Sequence, residues 1–121
     1  MKNKCYYLST CSTCKRIMKE VNISADESFE LQDVKKVAIS ESDLDEMAKL
    51  SGSYESLFNR RSQKYRSMNL KEKQLSEADY KSLILSEYTF LKRPSFVTEN
   101  EIFVGNSKKT VAAFKVWQKV K

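Results

Sequence analysis

Apolar positions along this 121-residue chain fall into two rhythms, and each rhythm predicts a different element. Cys5–Leu8 (Cys-Tyr-Tyr-Leu) is a short continuous apolar run, the length and composition of a buried strand. From Ser12 onward the spacing changes. Cys14, Ile17, Met18 and Val21 recur as one face of a helix, while Lys15, Arg16, Lys19 and Glu20 fill the rest of its surface. Phe29–Val34 predicts a second strand with Phe29 and Leu31 on one face. Ser40 opens a helix with Asp43 as an acidic variant of the capping box; Leu44, Met47, Ala48 and Leu50 form its stripe, and it ends near Gly52. A short helix around Tyr54–Phe58 leads into the basic segment Asn59-Arg60-Arg61-Ser62-Gln63-Lys64-Tyr65-Arg66. Ser76–Glu87 is a further helix, marked by Ser76 with Asp79 and by Tyr80, Leu83 and Ile84.

The last third turns to β structure. Ser95–Thr98 and Ile102–Val104 are short β-prone runs joined by Glu99-Asn100-Glu101 as a hairpin connection. After Gly105-Asn106-Ser107 a final helix turns Val111, Phe114 and Trp117 inward and also carries Lys108, Lys109, Lys115, Lys119 and Lys121. The order is β-α-β, a helical middle, then β-β-α. The first two strands can lie parallel through a right-handed crossover, and the last two can pair antiparallel. The expected architecture is therefore α/β: a thioredoxin-like fold, a mixed β-sheet flanked by helices, with a central helical insertion over about 40–87 in a single domain of 1–121.

Composition narrows the function classes. With 40% hydrophobic and 31% charged residues the chain has the means to build one core, and no apolar run is long enough to span a bilayer. No signal-peptide pattern opens the sequence, so the expected location is the cytoplasm, with no membrane partner. Lys and Arg outnumber Asp and Glu by 22 to 16, a formal charge of +6. Such a balance attracts anions, although Lys-rich helix faces are also simply solvated.

The candidate chemistry lies in Cys11-Ser12-Thr13-Cys14, between the first strand and the first helix. A thiolate is the reactive form of cysteine. A residue just before a helical turn faces unpaired N–H groups and the positive end of the helix dipole, which favour it. Lys15 and Arg16 add positive charge nearby. Cys11 is then the nucleophile and Cys14, one turn on, the resolving thiol. Two other readings stand beside this one. A zinc site needs about four ligands, and without histidine only Cys5 and a carboxylate could join the pair. The cysteines could also be small core hydrophobes, which is the reading adopted for Cys5. Arg93-Pro94 is the second feature: an X-Pro bond adopts cis more readily than other peptides, though from sequence alone a trans proline closing the preceding helical region is the stronger reading.

Tyr7-Leu8-Ser9-Thr10-Cys11-Ser12-Thr13-Cys14-Lys15-Arg16, the Arg61-Ser62 segment, Leu91-Lys92-Arg93-Pro94 and Val104-Gly105 together resemble the arsenate reductase (ArsC)/Spx family, including its small YffB-like members. The resemblance implies a thioredoxin-like fold with an inserted helical subdomain, a cis proline at Pro94 and a nucleophile at Cys11. The arsenate-reducing branch holds its oxyanion with three arginines. Arg93 matches one of them; the first one's place holds Asn59, with Arg60 beside it, and the third falls near Gly105. That branch usually lacks a cysteine at the place of Cys14. The Spx branch has the C-x-x-C switch and binds RNA polymerase; Gly52 lies near the glycine it uses against the alpha subunit, although the plain role of helix terminator is the stronger reading of this residue.

The combined expectation is a cytoplasmic thiol-disulfide reductase of this family with no metal and no bound cofactor, drawing electrons from glutathione or another thiol. Cys11, Cys14 and Arg93 would be catalytic. Ser12, Thr13, Lys15, Arg61, Arg93 and Pro94 would hold a small anionic substrate or glutathione. The alternatives are a redox-sensing Spx-like transcription regulator binding the RNA polymerase alpha subunit, and an arsenate reductase. A monomer is expected in each case.

Overall fold

The first apolar run forms strand β1 (Asn3–Tyr7), begun two residues earlier than expected. Leu8 is buried but already belongs to the turn that follows. The computed structural model describes residues 3–120, so Lys121 lies outside the described residues. The chain forms two compact units. One contains residues 3–37 and 93–120, and the other is the segment Ala38–Lys92, within which the expected insertion of 40–87 falls.

The first unit is the mixed sheet and its helices. Helix α1 (Ser12–Glu20) follows β1, and β2 (Phe29–Asp33) returns parallel to it with Asn3 opposite Phe29 and Tyr7 opposite Asp33. The hairpin β3 (Ser95–Val97) and β4 (Ile102–Val104) is antiparallel, and β3 also pairs antiparallel with β1. The sheet order is β2-β1-β3-β4, which places both sequence-distant halves side by side. Helix α5 (Lys108–Val120) closes the unit, opened by the Ser107 hydroxyl accepting the Thr110 amide at 3.1 Å.

One core cluster joins Cys5, Phe29 and Phe96 of the sheet to Ile17 of α1, to Val21 at its C-cap and to Val111 and Phe114 of α5. Phe114 is fully buried and stacks on Phe96 with ring centroids 4.0 Å apart. Burying such a side chain is worth roughly 1.5–3 kcal/mol. Trp117 is only partly buried against this cluster. Leu31, on the face expected to be covered, stays 39% exposed, because β2 is the edge strand of the sheet.

The helical unit contains α2 (Glu41–Ser51), α3 (Gln63–Ser67) and α4 (Glu77–Ser86), with single 3-10 turns at Glu55–Leu57, Leu70–Glu72 and Tyr88–Phe90. Ser40 caps α2, and Leu44, Met47 and Ala48 are its buried stripe, with Leu50 half-buried. Gly52 ends it at φ +104, a left-handed conformation suited to glycine. A reciprocal capping box between Ser76 and Asp79 opens α4. Lys81 of α4 reaches Glu41 at 2.7 Å and Asp45 at 3.0 Å on α2, and Phe58 stacks on Phe90 with centroids 5.0 Å apart. Helix α3 was not anticipated. It buries none of its residues, so it leaves no apolar period in the sequence. No helix among the described residues is long and apolar enough to cross a membrane.

Candidate active site

The turn from β1 into α1 builds the site. Its two central residues, Ser9 and Thr10, are polar, and the Cys11 amide donates back to the Leu8 carbonyl at 3.0 Å to close it. Cys11 is left at the N-cap of α1, in extended conformation (φ −95, ψ 110), where its Sγ accepts the Cys14 amide at 3.4 Å. A thiol thus occupies the place usually taken by a hydroxyl or carboxylate cap, where its ionised form is favoured by the helix N-terminus.

The two thiols of the motif have opposite electrostatics. Partial burial works against the Cys11 thiolate, but it is outweighed by hydrogen bonds from Cys14, the positive charge of Arg93 and the Thr13 amide, which together hold the thiol below its ordinary range. Cys14 is fully buried, and burial pushes its thiol well up; the Cys11 sulfur beside it pushes the same way, against the Leu8 amide and Arg93. Cys5 is buried in the sheet and pushed up to about 12 by burial, then by Cys14. All three cysteines are free thiols, with no bond between Cys11 and Cys14.

The structure brings several of the expected site residues together in the first unit. Arg93 is half-buried and acts on both thiols of the motif. The Arg93–Pro94 peptide is cis, as the family resemblance implied, Pro94 is buried, and the Pro94 carbonyl accepts the Gly105 amide at 3.0 Å. Ser12 is exposed at the first position of α1, and Thr13 is half-buried with its amide toward Cys11. Lys15 is exposed; its amide donates to the Cys11 carbonyl at 3.2 Å, but the side-chain charge that acts on Cys11 is that of Arg93. Arg61 belongs to the helical unit, exposed just ahead of α3, with its amide donating to Asn59 Oδ1 at 3.1 Å. Among the described residues no group of three or more His, Cys, Asp or Glu side chains is placed to hold a metal ion.

The ArsC family model matches residues 6–114 of the chain, from β1 through most of α5. The chain belongs to the ArsC family. Among solved structures, an ArsC-related protein from Bacteroides fragilis is 24% identical with a TM-score of 0.78, covering 100% of both chains. A possible arsenate reductase from Streptococcus mutans is 30% identical with a TM-score of 0.71, over 88% of this chain and 91% of that one. The YffB protein superimposes with a TM-score of 0.74 at 22% identity, over 93% of this chain and 97% of its own. No curated protein sequence matches the chain. For this ArsC-family member the sheet-and-helix fold read from the sequence is the observed one.

One buried polar residue at the site escaped the sequence reading. Asp33, at the end of β2, is 7% exposed, and its carboxylate faces the Ser9 of the active-site turn. The signal was present: Asp33 continues the alternation of Phe29 and Leu31, so a charge stands where the pattern calls for an apolar side chain.

Proposed function

We propose that this ArsC-family protein is a thiol-dependent reductase in which Cys11 is the nucleophile and Cys14 the resolving thiol. The observation that carries this is the Cys11 sulfur at the head of α1, accepting the Cys14 amide with Arg93 charge upon it. A thiolate so held attacks at a pH where an ordinary thiol, with pKa about 8.5, is mostly protonated. With a disulfide substrate the Cys11 thiolate attacks one sulfur, the substrate S–S bond breaks, and the departing thiolate takes a proton from water. Cys14 then gives up its proton and attacks the Cys11 sulfur. That forms a Cys11–Cys14 disulfide and releases the second substrate thiol. Part of what holds the proton on Cys14 is the negative Cys11 sulfur, and that part disappears once Cys11 is bonded. Two molecules of glutathione, or another thiol, restore the dithiol and leave as their own disulfide.

The substrate is a small anion or a glutathione-containing disulfide, met by Arg93 and the Ser12 amide at the head of α1, with Thr13, Lys15 and Pro94 contributing to its binding. The setting is the reducing cytoplasm, where such a disulfide is transient. Arsenate turnover is less well supported. Asn59 is engaged in the backbone, its amide group donating to the Thr89 carbonyl at 3.0 Å, and Arg60 is tied to Glu55 at 2.7 Å and to the Tyr80 hydroxyl at 3.0 Å. The same observation favours a second reading, a redox-sensing regulator that binds the RNA polymerase alpha subunit and needs no oxyanion cradle.

The test has two arms. Limiting iodoacetamide below neutral pH is expected to label Cys11 well ahead of Cys5 and Cys14, and thiol-dependent reduction of a glutathione mixed disulfide is expected to vanish in Cys11→Ser. Equal labelling of the three thiols removes the nucleophile. Absence of turnover together with redox-dependent binding to the alpha subunit replaces the reductase by the regulator.

A further inference from the structure

Asp33 is a buried carboxylate at the end of an edge strand, a place where nothing in the core requires a charge. Its surroundings explain its presence. Asp33 Oδ1 accepts the Ser9 amide at 3.4 Å and the Lys35 amide at 3.1 Å, while Oδ2 is buried with no hydrogen-bond partner among the described residues. Ser9 is the second residue of the turn whose last residue is Cys11, and the turn is closed by the Cys11 amide on the Leu8 carbonyl. One oxygen of β2 therefore grips the loop that delivers the sulfur, from a strand that β1 pairs directly, Tyr7 lying opposite Asp33.

We infer that Asp33 is a positioning residue for Cys11: its Oδ1 pins the Ser9 amide, and through the Leu8–Cys11 turn it holds the Cys11 sulfur in the N-cap geometry that stabilises the thiolate. The inference rests on the reading of Cys11 as the reacting thiol. The physical logic is that of a bipartite clamp. Cys11 Sγ accepts the Cys14 amide at 3.4 Å, an ordinary distance for a sulfur acceptor, and the bond exists only while Cys11 keeps its extended conformation, so rotation out of that conformation removes it. Among the described residues one backbone hydrogen bond crosses the turn, and without Asp33 the half-buried Ser9 loses the acceptor of its amide and its hydroxyl. The acceptor oxygen does this work, not the net charge. The Ser9 hydroxyl and the Ser9 and Lys35 amides keep the carboxylate ionised, and the charge that favours the thiolate comes from Arg93.

The test uses the full chain as parent, Asp33→Ala and Asp33→Asn, read by the pH dependence of iodoacetamide alkylation at Cys11 and by hydrogen exchange at the Ser9 amide. Asp33→Ala is expected to cut the thiolate fraction of Cys11 at pH 6 roughly tenfold, as a rise of one in its apparent pKa does, and to speed Ser9 exchange by at least about as much. Asp33→Asn keeps an acceptor at Oδ1 but puts an amide group where Oδ2 was buried. It is expected to lower thermal stability yet leave the Cys11 profile within about threefold of the parent, which separates positioning from mere support of the fold. Should Asp33→Ala fail to fold, Ser9→Pro removes both the amide and the hydroxyl that Ser9 offers Asp33, at the turn position where proline is best accommodated, and the same rise is expected. A parent Cys11 that titrates as an ordinary thiol overturns the reductase reading and this inference with it. A depressed parent value that neither Asp33→Ala nor Ser9→Pro moves overturns the inference alone, as does an Asp33→Asn profile as poor as that of Asp33→Ala.

Discussion

Two cysteines three positions apart are pushed in opposite directions by their surroundings. Cys11 sits where amide hydrogens and a guanidinium converge, and Cys14 sits where burial dominates. The difference comes from one helical turn of separation, which places one sulfur ahead of the first N–H groups and the other beneath them. Arg93 is the charged side chain that acts on both. Arg93→Ala is expected to raise the apparent pKa of Cys11, so alkylation at pH 6–7 slows severalfold, because the thiolate now protonates at a higher pH as acidity increases. Arg93→Lys is expected to recover the charge and only part of the effect, since the planar fork is lost. Sulfate, arsenate or glutathione titrated against Cys11 alkylation completes the measurement. Protection in the parent and its loss in Arg93→Ala identify an anion pocket, and unchanged reactivity in both variants leaves Arg93 as a surface ion-pair residue worth little.

Among the elements, the helix boundaries carry the plainest sequence signals. Ser40, Ser76 and Ser107 each cap the helix that follows, because a hydroxyl satisfies an amide that no preceding turn can reach. Gly52 ends α2 at φ +104, and a Cβ built there meets nothing within 4 Å. Any cost of Gly52→Ala is therefore conformational and not steric crowding, and a loss of about 1–2 kcal/mol is expected in urea denaturation. A neutral result would mean that α2 ends elsewhere in solution, and would return Gly52 to the role of a contact residue. The strands were less legible. β1 starts earlier than its apolar run because Asn3 and Lys4 pair with β2 through backbone bonds that side-chain polarity does not report. Helix α3 makes the complementary case: of its five residues Tyr65 packs on Phe58 while the other four are polar and exposed, and only the Ser62 cap marks its start.

At the scale of the whole molecule, the buried thiols tie stability to alkaline pH. Cys5 is held near 12, whereas the same thiol in the unfolded chain ionises at about 8.5. Above that lower value the unfolded state releases a proton that the folded state keeps, so folding stability falls as pH rises. The slope approaches about 1.4 kcal/mol for each pH step per buried thiol. Urea denaturation at pH 8, 9 and 10 is expected to show this decline, and Cys5→Ala to flatten it while lowering stability at pH 7 through the cavity it leaves. Identical slopes in parent and variant would mean that Cys5 is solvated in the folded protein.

The division between sequence and structure follows from the range of the interactions concerned. Periodicity, caps and the C-x-x-C spacing are local, so the element order, the parallel and antiparallel pairings, the helix limits at Ser40 and Gly52, and the placement of Cys11 at a helix start were all legible. The cis peptide before Pro94 was legible only through family resemblance, since local preference alone favours trans. What required the folded chain were the meetings between residues far apart in sequence. Arg93 acts on Cys11 across 82 positions because β3 pairs with β1, and Asp33 grips Ser9 across 24 because β2 does. Strand pairing closes large loops and writes no periodic signal into either partner. The thiol, and through the family resemblance Arg93, were therefore visible in the sequence, while the action of Arg93 on Cys11 and the bond from Asp33 to the turn became visible only in the sheet.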